Sequence, residues 1–367
     1  MAGRRPRVAV VFGGRSGEHE VSIQSARSVI AAIDSSRYEV LPVGITHQGA
    51  WVVAQPDALL SGAVDQSAKV LPSAEPGQPG LVPATPNHRV EGLSEGIDVV
   101  FPLVHGTYGE DGCLQGLFEL AGIPFVGSGV LASATGMDKI LMKKVFRADG
   151  LPVVDCIELA RADWERDPET ELARTQQSIG FPCFVKPADL GSSVGINKVR
   201  TSDELPGAID AAAEFSERII VERGIDAREL ECGVLGNHDP AASVVGEIVP
   251  ARDFYDYEAK YVDPKTQFLI PADLDPSTAS SIQDLAIRAF TAIRASGMAR
   301  VDFFLERTTG EIFVNEINTI PGFTAMSVYP RLWDASGVPY SELIHRLIQL
   351  ALERHADRAR NRTQYSS

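Results

Sequence analysis

Cysteine and long apolar runs are scarce in this sequence. The four cysteines, Cys113, Cys156, Cys183 and Cys232, form no CxxC pair and stand beside no histidine cluster. A zinc site or a disulfide framework is therefore not expected, and a reducing cytoplasm is the expected compartment. No stretch approaches the roughly 20 apolar residues of a membrane span. The apolar run at residues 8–12 is too short for a signal peptide and predicts a buried strand.

Positive charge is also scarce. The chain has 34 Lys and Arg against 49 Asp and Glu, which gives a net charge of −15. Such a surface repels nucleic acids and anionic membranes, so neither is expected as a partner. A nucleotide can still bind where local cations, backbone N–H groups and a metal ion offset its charge. The length of 367 residues exceeds what one core usually supports, so two or three domains are predicted.

Periodicity divides the chain into three predicted units. Residues 7–12, 20–33 and 38–45 follow a strand–helix–strand pattern, which predicts a small doubly wound domain. Residues 55–96 are rich in Pro, Gly and Ser and predict loops and short strands. Apolar spacing and a final glycine predict one helix over residues 134–150. The predicted units are residues 1–127, 128–222 and 223–367.

Two segments near the C-terminus, RVDFF (300–304) and NEIN (315–318), predict a hairpin that carries carboxylates. Alternate residues of a strand share a face, so Glu316 and Asn318 point the same way. A bulge in the turn of the hairpin would let Asp302 lie opposite Glu316. Facing carboxylates favour a bound cation, and oxygen ligands suit Mg²⁺. A solvated polar face on an edge hairpin would show the same spacing, so both interpretations stand at this point.

A glycine-rich segment follows a second apolar strand. Lys186 ends that strand, and the loop GSSVG (191–195) comes directly after it. Backbone N–H groups and serine hydroxyls of such a loop can bind phosphate oxygens, although most such loops are simple turns. Lys139 is a second candidate cation. The pattern is neither a Walker A motif nor GxGxxG, and the segment GGRSGE (13–18) is not GxGxxG either, which disfavours a dinucleotide oxidoreductase.

Polar loops follow two buried strands in the first unit. Glu18 lies in GGRSGEHE (13–20), where it could hold an ammonium group or simply cap a helix. His105 begins HGTYGEDG (105–112), at a position where binding residues often lie. The stretch FYDYEAKY (254–261) lacks helical or strand periodicity and fits either a lid or an aromatic surface loop.

Seven segments taken together resemble one enzyme family, the D-alanine–D-alanine ligases. They occur in the family's order between Gly13 and about Ser327 and read GGRSGEHEVS, HGTYGEDG, MDK, VKPADLGSSVGI, FYDYEAKY, RVDFF and NEINTIPGFT. The resemblance implies a mixed α/β and α+β architecture, the three-domain ATP-grasp fold, with a doubly wound N-terminal domain. It also implies ATP-dependent joining of two D-alanines through a D-alanyl phosphate, for peptidoglycan precursor synthesis in the cytoplasm. ATP and two Mg²⁺ or Mn²⁺ ions are the implied cofactors, and a homodimer is common in such enzymes.

The resemblance also assigns roles to single residues. The expected metal ligands are Asp302, Glu316 and Asn318. The expected nucleotide-binding residues are Lys139, Lys186, Ser193, Glu222, Ile225, Glu229 and Phe304. The expected catalytic residues are Glu18, Ser192, Tyr261, Arg300 and Gly322. The expected substrate-binding residues are His105, Lys260, Ser327 and Val328.

Other functions remain open alongside the dipeptide ligase. One is another ATP-grasp carboxylate–amine ligase, including a variant that accepts D-lactate. The Lys260-Tyr261 pair favours the dipeptide enzyme by resemblance. A non-catalytic nucleotide-binding regulator on the same fold should have lost its metal ligands, whereas Asp302, Glu316 and Asn318 are all present.

Overall fold

The computed structural model describes residues 4–53, 55, 57–58, 69–73, 75, 80–85, 96–191, 194–249 and 267–362. These residues form three β-sheets with helices packed on them. Among the helices of these ranges, none combines the length and the apolar character needed to cross a membrane.

The first sheet is built mainly from the continuous apolar runs of the N-terminal unit. Its elements are β1 (Arg7–Gly13), α1 (His19–Ala32), β2 (Glu39–Ile45), β3 (Trp51–Val53), β4 (Lys69–Pro72), β5 (Leu81–Pro83), β6 (Val99–Pro102) and α2 (Cys113–Ala121). The strand order is β5-β4-β3-β2-β1-β6, with β1 parallel to both β2 and β6. Strand β1 is buried along its whole length, as expected for a parallel strand covered on both faces. The polar loops after β1 and β6 therefore lie at the same edge of the sheet.

The segment after the first sheet forms two helices. These are α3 (Val130–Met137) and α4 (Lys139–Ala148), so the prediction of one helix over residues 134–150 is wrong. Asp138 between them has an extended backbone, and its carboxylate accepts hydrogen bonds from the N–H groups of Ile140 and Leu141. An aspartate that caps a helix start competes with helix continuation. The break makes Lys139 the first residue of α4.

The second sheet is antiparallel and covered on one face by short helices. Its elements are β7 (Cys156–Ala160), α5 (Arg161–Arg166), α6 (Pro168–Ser178), β8 (Cys183–Pro187), β9 (Asn197–Val199), α7 (Leu205–Ala213) and β10 (Arg218–Arg223). The strand order is β7-β10-β8-β9. Leu205, Ile209 and Ala212 of α7 are buried against Val185 and Ile219 of the sheet. This packing fixes the strand that carries Lys186 next to the strand that carries Glu222.

The third sheet contains the predicted hairpin. Its elements, with the helices that follow, are β11 (Ala227–Gly236), β12 (Ala241–Val249), β13 (Gln267–Leu269), α8 (Pro276–Ala292), β14 (Gly297–Glu306), β15 (Ile312–Asn318), α9 (Val328–Ala335) and α10 (Tyr340–Arg358). The strand order is β13-β12-β11-β14-β15, with antiparallel neighbours. The hairpin pairs β14 with β15, and its register shifts between Asp302 and Phe303.

The last helix packs on the first sheet. Leu343 and Leu347 of α10 belong to the same buried core as Val8, Phe12 and Ile23. A hydrogen bond of 2.7 Å joins the Tyr38 hydroxyl to Nδ1 of His345 in the same contact. The C-terminal end of the chain therefore completes the core of the N-terminal sheet. The unit boundaries at residues 127 and 222 remain predictions.

Candidate functional site

A cavity of about 420 Å³ lies where the three sheets meet. Its walls combine loops from the first sheet, the start of α4, the loop after β8 and the end of the hairpin. Many of the predicted site residues line it: Glu18, His105, Lys139, Arg300, Glu316, Asn318, Gly322, Ser327 and Val328. Residues far apart in the sequence thus share one chamber.

The hairpin places its carboxylates as the sequence pattern predicts. Asp302 on β14 pairs directly with Glu316 on β15, and Arg300 pairs with Asn318. The bulge lies between Asp302 and Phe303, within the paired strands and not in the turn where the sequence pattern predicted it. The Asn318 side-chain oxygen accepts a hydrogen bond of 3.1 Å from the Ile320 N–H, and this contact orients the amide.

A third carboxylate, Glu231, lies beside this pair, and the sequence analysis missed it. Glu231 on β11 pairs with Asp302 on β14, so three acids follow one another across neighbouring strands. Because alternate residues of a strand share a face, the segment ELECG (229–233) indicates only that Glu231 shares a face with Glu229. Only the non-local pairing of β11 with β14 shows that this is also the face of Asp302.

Arg300 links two of these carboxylates. Its guanidinium donates two hydrogen bonds of 2.7 Å to Asp302, and its Nε lies 3.2 Å from Oε2 of Glu231. Burial acts to lower the pKa of Arg300, but Asp302 and Glu231 raise it well above its ordinary value. One cation facing three acids leaves two negative charges. The donor set of carboxylate and amide oxygens therefore fits a divalent hard cation.

A buried ion cluster lies between the second and third sheets. The Glu222 carboxylate is ion-paired with Lys186, and its Oε1 lies 3.0 Å from Nζ of Lys143. Burial acts to raise the pKa of Glu222, but the two lysines lower it to about 2. Burial also acts to lower the pKa of Lys186, but Glu222 and, less strongly, Glu316 and Glu229 raise it. Lys186 is therefore within electrostatic reach of the hairpin.

Of the other predicted nucleotide residues among the described ones, Lys139 lines the cavity, whereas Ile225, Glu229 and Phe304 do not. Glu229 on β11 pairs with Phe304 on β14, and both are half-buried. Ile225 lies in the connection between β10 and β11. Lys139 lines the cavity and donates a hydrogen bond to the Leu190 carbonyl. Its own backbone N–H bonds to the Ala188 carbonyl at 2.9 Å, which ties the start of α4 to the glycine-rich loop.

His105 is buried in the wall of the cavity that the first sheet provides. Its Nδ1 lies 3.0 Å from the Ile320 carbonyl, and its Nε2 lies 3.1 Å from Oγ of Ser25. A carbonyl only accepts, so Nδ1 carries the proton and Nε2 accepts from the serine hydroxyl. Burial lowers the pKa of His105 despite the opposing charge of Glu18. The imidazole is therefore neutral, and its two hydrogen bonds connect α1 to the segment after β15.

Glu110 is a further cavity residue that the sequence analysis did not single out. Its Oε1 accepts a hydrogen bond of 2.9 Å from the Gly106 N–H, and its buried Oε2 has no hydrogen-bond partner among the described residues. Burial, with the nearby charge of Glu18, raises the pKa of Glu110 well above its ordinary value. The residue therefore keeps its proton to higher pH than an exposed glutamate does, beside a second carboxyl group.

Gly191 closes the cavity against these two acids. A methyl group at Gly191 would lie 3.5 Å from Oε2 of Glu18 and 3.8 Å from Oε1 of Glu110. Both distances are ordinary van der Waals contacts, so the backbone of the loop passes close to the two carboxyl groups.

Ser327 and Gly322 form the remaining wall. The Ser327 hydroxyl accepts a hydrogen bond of 3.1 Å from the Thr324 N–H, and it lies at the start of α9. A methyl group at Gly322 would lie 3.3 Å from this hydroxyl. The predicted residues Ser192, Ser193, Lys260 and Tyr261 and the predicted lid at 254–261 lie outside the described residues.

Comparison with known proteins gives one consistent family. The model for the N-terminal domain of D-Ala-D-Ala ligases matches residues 7–128, and the model for the C-terminal domain matches residues 145–349. The D-alanine–D-alanine ligase of Heliobacterium modesticaldum is 47% identical over 359 residues, with 97% of each chain covered. That of Geobacillus thermodenitrificans is 46% identical, with 96% of this chain and 97% of the relative covered.

Solved structures agree with the sequence comparisons. The D-alanine–D-alanine ligase from Coxiella burnetii has a TM-score of 0.84 and 38% identity, with 97% of each chain covered. A D-Ala:D-Ser ligase from Enterococcus faecalis has a TM-score of 0.84 and 36% identity, with 95% of this chain and all of that chain covered. These neighbours confirm the predicted multi-domain ATP-grasp architecture. The chain belongs to the D-alanine–D-alanine ligase family.

Proposed function

We propose that this protein joins two D-alanines into D-alanyl-D-alanine, with conversion of ATP to ADP and phosphate, for peptidoglycan precursor synthesis. The observation that carries the proposal is the pairing of Asp302 with Glu316 on a hairpin that reaches a cavity also lined by Lys139 and Arg300. Carboxylates for a metal ion and cations for phosphates thus stand around one chamber. This combination is what phosphoryl transfer requires.

The nucleotide and its metal are proposed to bind between the second and third sheets. Asp302, Glu316 and Asn318 would hold Mg²⁺ or Mn²⁺, in two ions, together with phosphate oxygens. When bound, the metal neutralises charge on the transferring phosphoryl group. Within the described residues no three acidic, histidine or cysteine side chains converge as a metal cage, and Mg²⁺ commonly uses one or two carboxylates with nucleotide phosphates.

The proposed roles around the nucleotide are those that the family resemblance implies. Lys139 and Lys186 would contact phosphate oxygens, and Ser193 would do so from the glycine-rich loop. Glu222, Ile225 and Phe304 would border the adenine, and Glu229 would accept from the ribose hydroxyls. The support for this arrangement is that Lys186 lies within electrostatic reach of both Glu316 and Glu229.

The two alanines are proposed to lie at the end of the cavity that faces the first sheet. Glu18 would bind the ammonium group of the first alanine, beside the neutral His105. Lys260 and Ser327 would bind the carboxylate of the second alanine, and Val328 would line its side-chain pocket. Ser192 and Tyr261 would link the loops that exclude water from the reactive intermediate.

The reaction then proceeds in two displacements. The carboxylate of the first alanine attacks the γ-phosphorus of ATP. ADP leaves, and D-alanyl phosphate forms. The unprotonated amine of the second alanine attacks the activated carbonyl carbon. Arg300 and the Gly322 N–H stabilise the oxyanion that forms. Collapse of this tetrahedral species expels phosphate and leaves the peptide bond.

Phosphate release tests the assignment directly. We expect release from ATP to require Mg²⁺ and D-alanine and to be absent with L-alanine. Release that is equal with both enantiomers would falsify the dipeptide-ligase proposal. D-lactate and D-serine, each added with limiting D-alanine, test the second position, because one solved relative is a D-Ala:D-Ser ligase. Mass analysis of the product identifies which acceptor was used.

Two further expectations accompany this function. A cytoplasmic location is proposed because the reaction uses ATP and all four cysteines are free thiols. A homodimer is proposed by resemblance, and sedimentation equilibrium measures it. The expected lack of nucleic-acid and membrane partners remains a prediction from the net charge of −15.

A further inference from the structure

Lys143 is a fully buried lysine that none of the roles above uses. It lies on α4, and only 1% of its side chain is exposed. Its ammonium lies 3.0 Å from Oε1 of Glu222 on β10 and donates a hydrogen bond of 3.1 Å to the Asn315 carbonyl on β15. One buried cation therefore joins α4 to the second sheet and to the hairpin strand that carries Glu316.

The contact between Lys143 and Glu222 changes the net charge of the cluster that also contains Lys186. Glu222 is 3% exposed and is also ion-paired with Lys186. Two ammonium groups and one carboxylate leave one net positive charge. Without Lys143 the net charge of the cluster would be zero, because Glu222 would be ion-paired with Lys186 only. The side chain proposed to contact phosphate would then be fully compensated by a protein carboxylate.

We infer that Lys143 is a positioning residue for nucleotide binding, which frees the charge of Lys186 for phosphate by neutralising Glu222. Its second contact, to the Asn315 carbonyl, fixes the cluster relative to the hairpin. The inference rests on the proposed function, because it assumes that Lys186 faces a nucleotide phosphate.

The neighbouring residue Lys144 supplies a matched control. Its ammonium pairs with Glu158 at the surface, and its side chain is 59% exposed. Lys143→Met and Lys144→Met remove the same group one position apart on the same helix. The first removes it from the cluster and the second from solvent.

Calorimetric titration with MgATP and MgADP provides the readout, with no turnover needed. We expect Lys143→Met to weaken binding of both nucleotides about tenfold or more, since hydrogen bonds to charged groups contribute this much. Lys144→Met should bind as the wild type does. In steady-state assays the KM for ATP should rise, with the KM for D-alanine unchanged.

Glu222→Gln separates the charge effect from a structural one. This substitution removes the carboxylate that Lys143 neutralises, so adding Lys143→Met to it should weaken MgADP binding less than about threefold. An equal loss in both backgrounds would mean that Lys143 is only a structural cross-link, and the inference would be wrong. Wild-type affinity in Lys143→Met would also overturn it.

A second variant tests whether Lys143→Met loses nucleotide binding only because it misfolds. Lys143→Gln removes the charge but keeps a donor for the Asn315 carbonyl, and its folded fraction is measured by circular dichroism. If Lys143→Met does not fold, Lys143→Gln decides between the outcomes. Failure of the wild type itself to bind MgATP would instead overturn the proposed function, so the two failures are distinguishable.

Discussion

At the scale of single residues, two buried glutamates differ in the charges that surround them. Glu110 is buried, and one of its oxygens has no hydrogen-bond partner among the described residues. Glu222 is equally buried but is ionised between two lysines. The same type of side chain therefore has a raised pKa beside Glu18 and a lowered pKa between two lysines. The nearest charges decide which form is present.

Glu110 gives a prediction about the pH dependence of stability. Its pKa is raised in the folded state by burial and by Glu18, so the folded protein binds this proton more tightly than the unfolded chain. The stability that this contributes is full at low pH and is lost as pH rises from the unfolded pKa towards the raised one. Glu110→Gln mimics the neutral acid and should escape this loss.

Thermal unfolding at pH 5 and pH 8 measures the effect. We expect the melting temperature of Glu110→Gln, relative to that of the wild type, to be higher at pH 8 than at pH 5. Glu214→Gln, at an exposed residue, should show no such trend. A difference between Glu110→Gln and the wild type that stays constant with pH would mean that Glu110 is already ionised.

Glu316 gives a prediction about turnover. Glu316→Ala removes one of the two facing carboxylates of the hairpin, and we expect kcat to fall about a thousandfold or more because metal-ion stabilisation is worth several kcal/mol. Glu311→Ala, at an exposed residue just before β15, is the control and should retain activity. Circular dichroism should show both variants folded. Retained activity in Glu316→Ala would place the metal elsewhere.

At the scale of elements, the hairpin could be predicted and its neighbour could not. Asp302 and Glu316 lie on strands joined by a short turn, so alternation and one bulge determine their pairing. Glu231 reaches the same face only because β11, which is about 70 residues away in sequence, lies beside β14. Such pairing depends on tertiary packing, which local periodicity does not encode.

The break between α3 and α4 was missed for a different reason. Apolar spacing continues on both sides of Asp138, and helical periodicity alone does not register a cap. Its carboxylate satisfies N–H groups of α4 and is also ion-paired with Arg218. An aspartate between two helical runs was the one available signal.

Loss of this cap should be measurable. We expect Asp138→Ala to lower the free energy of unfolding by about 1–2 kcal/mol, because it leaves N–H groups of α4 without an acceptor. It should also raise the KM for ATP, since Lys139 is the next residue. Asp149→Ala, at the other end of α4, is the control. Urea denaturation at pH 7 is the measurement, and equal stabilities of the two variants would contradict the cap.

At the scale of the whole molecule, the fold class followed from the sequence but the contacts between the units did not. The strand–helix–strand pattern at residues 7–45 predicted the parallel part of the first sheet, and the sheet has it. Helix α10 has an apolar face that includes Leu343, Leu347 and Ile348. No local signal shows that this face covers the first sheet, more than 300 residues earlier in the chain.

The packing of α10 predicts a stability effect. Leu347 is fully buried in the core that also contains Val8 and Phe12, so Leu347→Ala should cost about 2–5 kcal/mol. Hydrogen exchange of β1 amides should accelerate in this variant. Leu131→Ala, at a residue that is 65% exposed, should leave exchange in β1 unchanged. Unchanged protection of β1 in Leu347→Ala would show that the helix does not support the sheet.

The position of α10 also bears on how the protein acquires its structure during synthesis. The ribosome makes the strands of the first sheet early, but the leucines and isoleucines of α10 that share their core emerge more than 300 residues later. The nascent N-terminal segment therefore lacks part of its core until α10 has been made, with apolar surface open to chaperones. Truncation of the final helix should accordingly yield aggregated protein rather than a shorter folded one.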